Sequence, residues 1–192
     1  EADAEARATH LDRIETILDG WEAMTEGMRQ IRQLTNSSED QWPAIDVRSV
    51  TEYLTAWNQE TEFTLDVDST VSDDQTVWIP GAVKEALEKL ITIAVRRATD
   101  SDTGVTVSLS DTTDRWVEVE IFITGSGLAE TDTEVLATGE ETALTHAQGL
   151  DIWVVRTMIK TVGGEITAQA TGTKTRVKFR VPVQQPPDAD EK

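Results

Sequence analysis

The sequence contains no cysteine. Disulfides and thiol chemistry are thereby excluded, and the chain suits a reducing compartment. Cations are scarce: 17 lysines and arginines face 36 aspartates and glutamates over 192 residues, a net charge of −19. The acids are spread along the chain rather than gathered in a tail. Such a field repels phosphate backbones and anionic lipid, which argues against a nucleic-acid or membrane-surface partner. The isolated Arg96-Arg97 pair is too small to form a nucleic-acid patch. No apolar run reaches the length of a membrane span or a signal peptide, so this piece is expected to be soluble and cytoplasmic. His/Glu metal spacing, a G-x-S-x-G elbow and a Walker loop are also missing. A dispersed acidic surface fits the cytoplasm of a halophile, where high salt screens self-repulsion.

What is present organises the chain into three parts. Hydrophobic residues make up 38%, enough for one full-sized domain with an appendage. Residues 1–40 carry a seam, Ile14, Ile17, Trp21, Met24, Met28 and Ile31, spaced alternately by three and four. That is the rhythm of a helix packed along a partner helix, in a hairpin or between subunits. The same stripe also suits one amphipathic helix lying on its own domain. The chain opens inside this pattern, as a fragment of a longer protein would. "TNSSEDQWP" then supplies turn formers and a proline.

The domain proper is expected over 46–183. Asp46 reads as the N-cap of a helix turning Val47, Val50, Leu54 and Trp57 inward. "EFTLDV" alternates as a strand, and "TVWI" is a shorter one. Pro80 suits the first turn of a helix bearing Val83, Leu87, Leu90, Ile91 and Ala94. "VTVSLS" and "RWVEVEIFI" form a hairpin around "DTTD". The polar stretch from Thr124 to Gln148 exceeds an ordinary connection and reads as a functional lid or its relic. A helix over 149–162 follows, stopped by Gly163-Gly164, then strands near 165–170 and 175–181. In the last strand Val177, Phe179 and Val181 face one way and Arg176, Lys178 and Arg180 the other. Residues 184–192 read as a disordered tail. The order predicts an α+β fold, a two-layer sandwich of helices on a mixed sheet, preceded by a long N-terminal dimerisation helix.

"EVLATGEETALTHAQGLDIWVVRTMIKTVGGEI" is similar to the lid and second glycine box of sensor histidine kinases from halophilic archaea. From about Val47 to Pro182 the element order resembles the C-terminal ATP-binding domain of that family, the Bergerat-type (GHKL) fold shared with gyrase-like ATPases. The heptad helix looks like the second helix of the family's dimerisation and phosphotransfer hairpin. The resemblance implies ATP and Mg²⁺ as cofactors, two-component signalling, a homodimer through the N-terminal helix, and a histidine kinase or response regulator as partner.

It also implies a site, in four pieces. The asparagine-bearing helix corresponds to "LEKLITIAVRR", where Lys89 and Ile93 take the asparagine positions and Thr92 the acidic one. Mg²⁺ wants oxygen ligands, and Ile93 has none. The adenine-binding element corresponds to "FITGSGL", which keeps Gly125 and Gly127 but has Ile123 in place of the aspartate. An adenine amine buried there without an acceptor would cost on the order of 1–3 kcal/mol. The glycine box keeps Gly149, with Ala147 and Asp151 replacing the other glycines. Asp151 puts a carboxylate where phosphate would sit, at a helix N-terminus that favours anions. Thr175 matches a threonine near the adenine, with Lys174 replacing the preceding glycine. The family positions retained are therefore Gly125, Gly127, Gly149 and Thr175, with no catalytic residue and no metal ligand. His10 lacks the proline context of a phosphoacceptor, and His146 matches a lid histidine with a positional role. Three functions fit: a degenerate, pseudokinase-like scaffold with no resident cofactor, an active ATP-dependent kinase with rewired contacts, or a purely structural dimeric interaction domain.

Overall fold

A computed structural model describes residues 42–60, 63–71, 76–98, 103–113, 115–126, 128–139 and 150–187, together with residues 25, 28, 29 and 32. Strand β1 (Ala44–Asp46) leads directly into helix α1 (Val47–Glu60). The Asp46 carboxylate accepts the N–H of Arg48 at 3.1 Å, the N-cap role read from its sequence position. Val47, Val50 and Leu54 are buried and Trp57 is half-buried, as their spacing predicts. Strand β2 (Thr64–Ser69) follows, then β3 (Trp78–Pro80) and helix α2 (Ala82–Arg97).

Pro80 is a correction. It closes β3, opposite Ala44 of β1, instead of entering the helix. The Gly81 N–H donates to the Pro43 carbonyl at 3.0 Å, which holds the chain in the two-stranded pairing for one more residue. The inward positions of α2 are as expected: Val83, Leu87, Leu90, Ile91 and Ala94 are all fully buried.

Strands β4 (Gly104–Thr113) and β5 (Trp116–Thr124) form the expected antiparallel hairpin. A register shift between Asp111 and Thr113 carries β4 further than the sequence suggests, into the stretch assigned to the turn. The polar stretch after β5, read as a lid or its relic, contains helix α3 (Glu130–Thr138), which occupies nine of its residues. Helix α4 (Leu150–Thr161) then ends at the two glycines, with the Gly163 N–H bonded to the Lys160 carbonyl and the Gly164 N–H to that of Ile159. Strands β6 (Glu165–Thr171) and β7 (Lys174–Pro182) close the fold. Gln184, read as the start of the tail, is bridged to Trp78, its N–H 2.8 Å from the Trp78 carbonyl.

The main sheet has the order β2-β4-β5-β7-β6, with β2 parallel to β4 and the other pairs antiparallel. This is the α+β fold of helices on a mixed sheet. Strand alternation divides the sheet's two faces. Val105, Val107 and Leu109, Val117, Val119, Ile121 and Ile123, and Val177, Phe179 and Val181 form the inner face, none more than 1% exposed. Ile152, Val154, Val155 and Ile159 of α4 join them with the buried face of α2 in one continuous core.

On the outer face Lys178 pairs with Glu118 at 2.7 Å and Arg176 with Glu120. Arg180 lies 4.8 Å from the centre of the Trp116 ring and Arg176 5.3 Å from that of Phe122. Of the N-terminal seam, only Met28 is described. It is helical and 53% exposed. The other seam residues lie outside the described residues, as do His10 and the end of the tail from residue 188. Among the described residues no helix is long and apolar enough to cross a membrane.

Candidate nucleotide-type site

The last turn of α2 is joined to the starts of α3 and α4 by Arg97–Asp132 and Arg96–Asp151, and Ile123 of β5 lies opposite Thr175 of β7. On α2, Lys89 is half-buried and Thr92 is exposed. Ile93 is 2% exposed and belongs to the core. Helical spacing of four puts Lys89 and Ile93 on adjacent turns of one face. Partial desolvation lifts the carboxyl of Glu85, one turn earlier and still exposed, above its ordinary value; Glu88 adds to the effect, and Lys84 and Lys89 oppose it.

On β5, Ile123 is 1% exposed and lies opposite Thr175 of β7 in the antiparallel register. Thr175 is itself only 5% exposed, so the two positions implied by the resemblance do lie side by side. Gly125 follows the strand with φ +87, a conformation that side-chain-bearing residues rarely adopt. A Cβ there would also come within 2.7 Å of the Thr103 hydroxyl. The turn therefore needs glycine for reasons internal to the fold. Gly127 and Gly149, with Ala147 and His146, lie outside the described residues.

Asp151 sits in the first turn of α4. Its Oδ2 accepts from Nη2 of Arg96, in the last turn of α2, at 2.8 Å. The placement is favourable for both helices, since an acid at a helix start and a base at a helix end each complement the peptide dipoles. Arg96 is 64% exposed, so the direct attraction contributes at most about 1 kcal/mol. What matters for the chemistry is occupancy: the α4 N-terminus already has a carboxylate in its first turn, and the neighbouring guanidinium already has an anion.

Arg97 has a second carboxylate, with Nη1 2.6 Å from Oδ2 of Asp132 in the first turn of α3. On the far side of α3, Arg156 of α4 donates to the carbonyls of Leu136, Ala137 and Thr138. Arg96, Arg97, Asp132 and Arg156 are absent from the site read in the sequence. Arg96 and Arg97 carry a helix-end signal by their position in the last turn of α2. Their partners lie 55 and 35 residues further along the chain, beyond the reach of any local pattern. Among the described residues no cluster of histidines and carboxylates has the makings of a metal site.

With this geometry in hand, comparison with known proteins places the fold. Structurally the chain is similar to the histidine kinase AdeS of Acinetobacter baumannii, at 17% identity and a TM-score of 0.58 over 90% of this chain and 84% of that one. It is similar also to a nucleotide-free catalytic domain of the histidine kinase ThkA, at 17% identity and a TM-score of 0.55 over 73% of this chain and 95% of that one. A mycobacterial sensor histidine kinase, MprB, matches at 16% identity and a TM-score of 0.53 over 77% and 99%. Identities this low establish a shared fold. No curated protein sequence matches the chain. The sequence model of the histidine kinase-, DNA gyrase B- and HSP90-like ATPases matches residues 79–185, more than half the chain. The chain thus belongs to the histidine kinase-, DNA gyrase B- and HSP90-like ATPase family.

Proposed function

We propose that this chain is a histidine-kinase-type domain whose nucleotide site has been retired, and that it acts in two-component signalling as a pseudokinase-like scaffold. The observation that carries the reading is the Asp151–Arg96 pair. A phosphate approaching the start of α4 would meet a carboxylate and a guanidinium that is already neutralised. The family's cofactor is Mg-ATP, and the residues here do not fit it. Ile93 is an alkyl chain and Lys89 a cation, so the helix that should offer Mg²⁺ hard oxygen ligands offers none at those positions. Ile123 offers no acceptor to an adenine amine.

Titration calorimetry of the full chain with ATP and Mg²⁺ in high salt tests the reading. No saturable heat is expected up to millimolar nucleotide, and a submillimolar isotherm would sink it. Such an isotherm would favour the second reading, an active kinase with rewired contacts. Its support is local: Gly125 keeps its turn, and Thr175 lies buried beside Ile123 as an adenine-side threonine should.

Two further parts of the reading concern partners and setting. The heptad seam, with Met28 half exposed, supports a homodimer formed through the N-terminal helix. A histidine kinase or response regulator is the partner such a scaffold would serve, and the acidic surface disfavours nucleic acid. Light scattering should give twice the chain mass, and replacing Ile17 and Met24 together by glutamate should give one. The net charge of −19 supports a halophilic origin. Thermal melts should rise between 0.01 M and 1 M salt, as the Debye length falls from about 30 Å to about 3 Å. A melting temperature that stays flat or falls would count against it.

A further inference from the structure

Helix α3 has little reason of its own to form. It is nine residues long, where isolated helices need about 12–15 to be even marginal in water. Three of its residues are acidic, and its buried apolar side chains are Val135 and Leu136. It packs on β6, and both of its ends are tied to other helices. At the start, Oδ2 of Asp132 takes the Ala129 N–H at 3.1 Å, satisfying one of the helix's open donors, and also takes Nη1 of Arg97 at 2.6 Å. Asp132 is only 7% exposed, so this ion pair is poorly screened by salt.

At the other end, the Arg156 guanidinium lies across the last turn and donates to three successive carbonyls that have no partner within the helix. Gly139 then caps the helix with φ +75, and a Cβ at that position would lie 2.6 Å from Nε of Arg156. Glycine is required there twice, for the left-handed turn and for the arginine's approach. Arg97 belongs to the last turn of α2, and Arg156 to the middle of α4.

We propose that α3 is held as a clamp across α2 and α4, which already pack on each other, fixed at one end to α2 by Arg97–Asp132 and at the other to α4 by Arg156, so that it keeps one arrangement without any ligand. The domain then presents a single constitutive surface at this corner. The inference goes beyond the proposed function and does not depend on nucleotide.

Hydrogen–deuterium exchange of the full chain, without nucleotide, tests it; retention of a nucleotide site would show up separately, in the calorimetry. In the unaltered protein the amides of residues 133–139 should exchange at least about tenfold more slowly than unstructured chain. In Arg97→Ala and in Arg156→Ala they should exchange at least about tenfold faster than in the parent, while the β5 and β7 amides keep their rates. Freely exchanging α3 amides in the parent overturn the clamp, and so does protection retained in either variant. Should an alanine variant also lose the protection of the sheet, Arg97→Met and Arg156→Lys take its place. Methionine keeps the alkyl chain of Arg97 without the charge that meets Asp132, and lysine at 156 lacks the planar fork that spans several carbonyls, so the same loosening of α3 is expected and its absence is equally decisive.

Discussion

The inner face of the sheet and the corner of α2, α3 and α4 are built from opposite materials. The first is a dry surface of branched aliphatic residues around Phe179, with no charge and no directional contact. The second is a set of arginines reaching for carboxylates and helix-end carbonyls. Apolar burial depends on area and tolerates exchange among residues of similar volume. Ion pairs and caps depend on one atom meeting another. A family can therefore keep the first while rewriting the second. Here the fold persists at 16–17% identity to solved histidine kinases, while the corner carries lysine, isoleucine and aspartate at the positions implied to bind nucleotide.

This contrast can be broken most forcefully from the core. Phe179→Ala should destabilise the domain by about 3–5 kcal/mol, because the rigid sheet cannot collapse around the void. The melting temperature should drop by about 10 °C or more, at low and high salt alike. The corner should respond less. Arg156→Ala removes a cation from three carbonyls and should cost about 2 kcal/mol by chemical denaturation. A loss as large as that of Phe179→Ala would mean that the corner, too, is core.

Smaller still is Arg96→Ala, expected to cost at most about 1 kcal/mol in dilute buffer and to become indistinguishable from the parent near 1 M salt. Persistence of the effect in salt would show the Asp151 pair to be shielded from solvent. The smallest effect sharpens the comparison inside α2 itself. The Glu85 carboxyl is raised in the fold, so its contribution to stability is fully present below its unfolded value and is lost as pH rises through the folded one. Glu85→Gln should therefore leave stability unchanged at acid pH and raise it slightly at neutral pH, an effect kept small because Glu85 is exposed and solvent screens it. Denaturant melts at the two pH values provide the check.

The same division explains what could be read from the sequence. The inner face was legible because strand alternation is a local signal repeated many times: Val117, Val119, Ile121 and Ile123 declare one face without reference to anything else. Asp46 and the Gly163-Gly164 stop were legible as helix punctuation. Helix α3 was not, although Glu130, Asp132 and Gly139 are standard end signals, because "ETDTEVLAT" has only Val135 and Leu136 to give it a period. Its stability comes from packing on β6 and from Arg97 and Arg156, all elsewhere in the chain. Pro80 was misplaced for a related reason: a contact between Gly81 and Pro43, distant in sequence, postponed the helix. At the site, residue identities were legible at Ile93, Ile123 and Asp151. Asp151's attachment to Arg96 was not, since a carboxylate in a first helical turn fits a simple dipole role equally well.

The position of β7 has a consequence for how the chain is made. It is the last of the described strands to be synthesised, yet it lies inside the sheet, paired with β5 on one side and β6 on the other. Until Lys174–Pro182 has left the ribosome, β5 and β6 have no neighbour to join them, and half the inner face has no floor. The two strands flanking the vacant place are then open edges, the feature most prone to pair with a neighbouring chain. Folding must wait for contacts between residues about 60 apart, as in Val117 with Val181, which makes it slow for a domain of this size. Dense negative charge on the nascent chain offsets that exposure by keeping neighbouring copies apart during the delay.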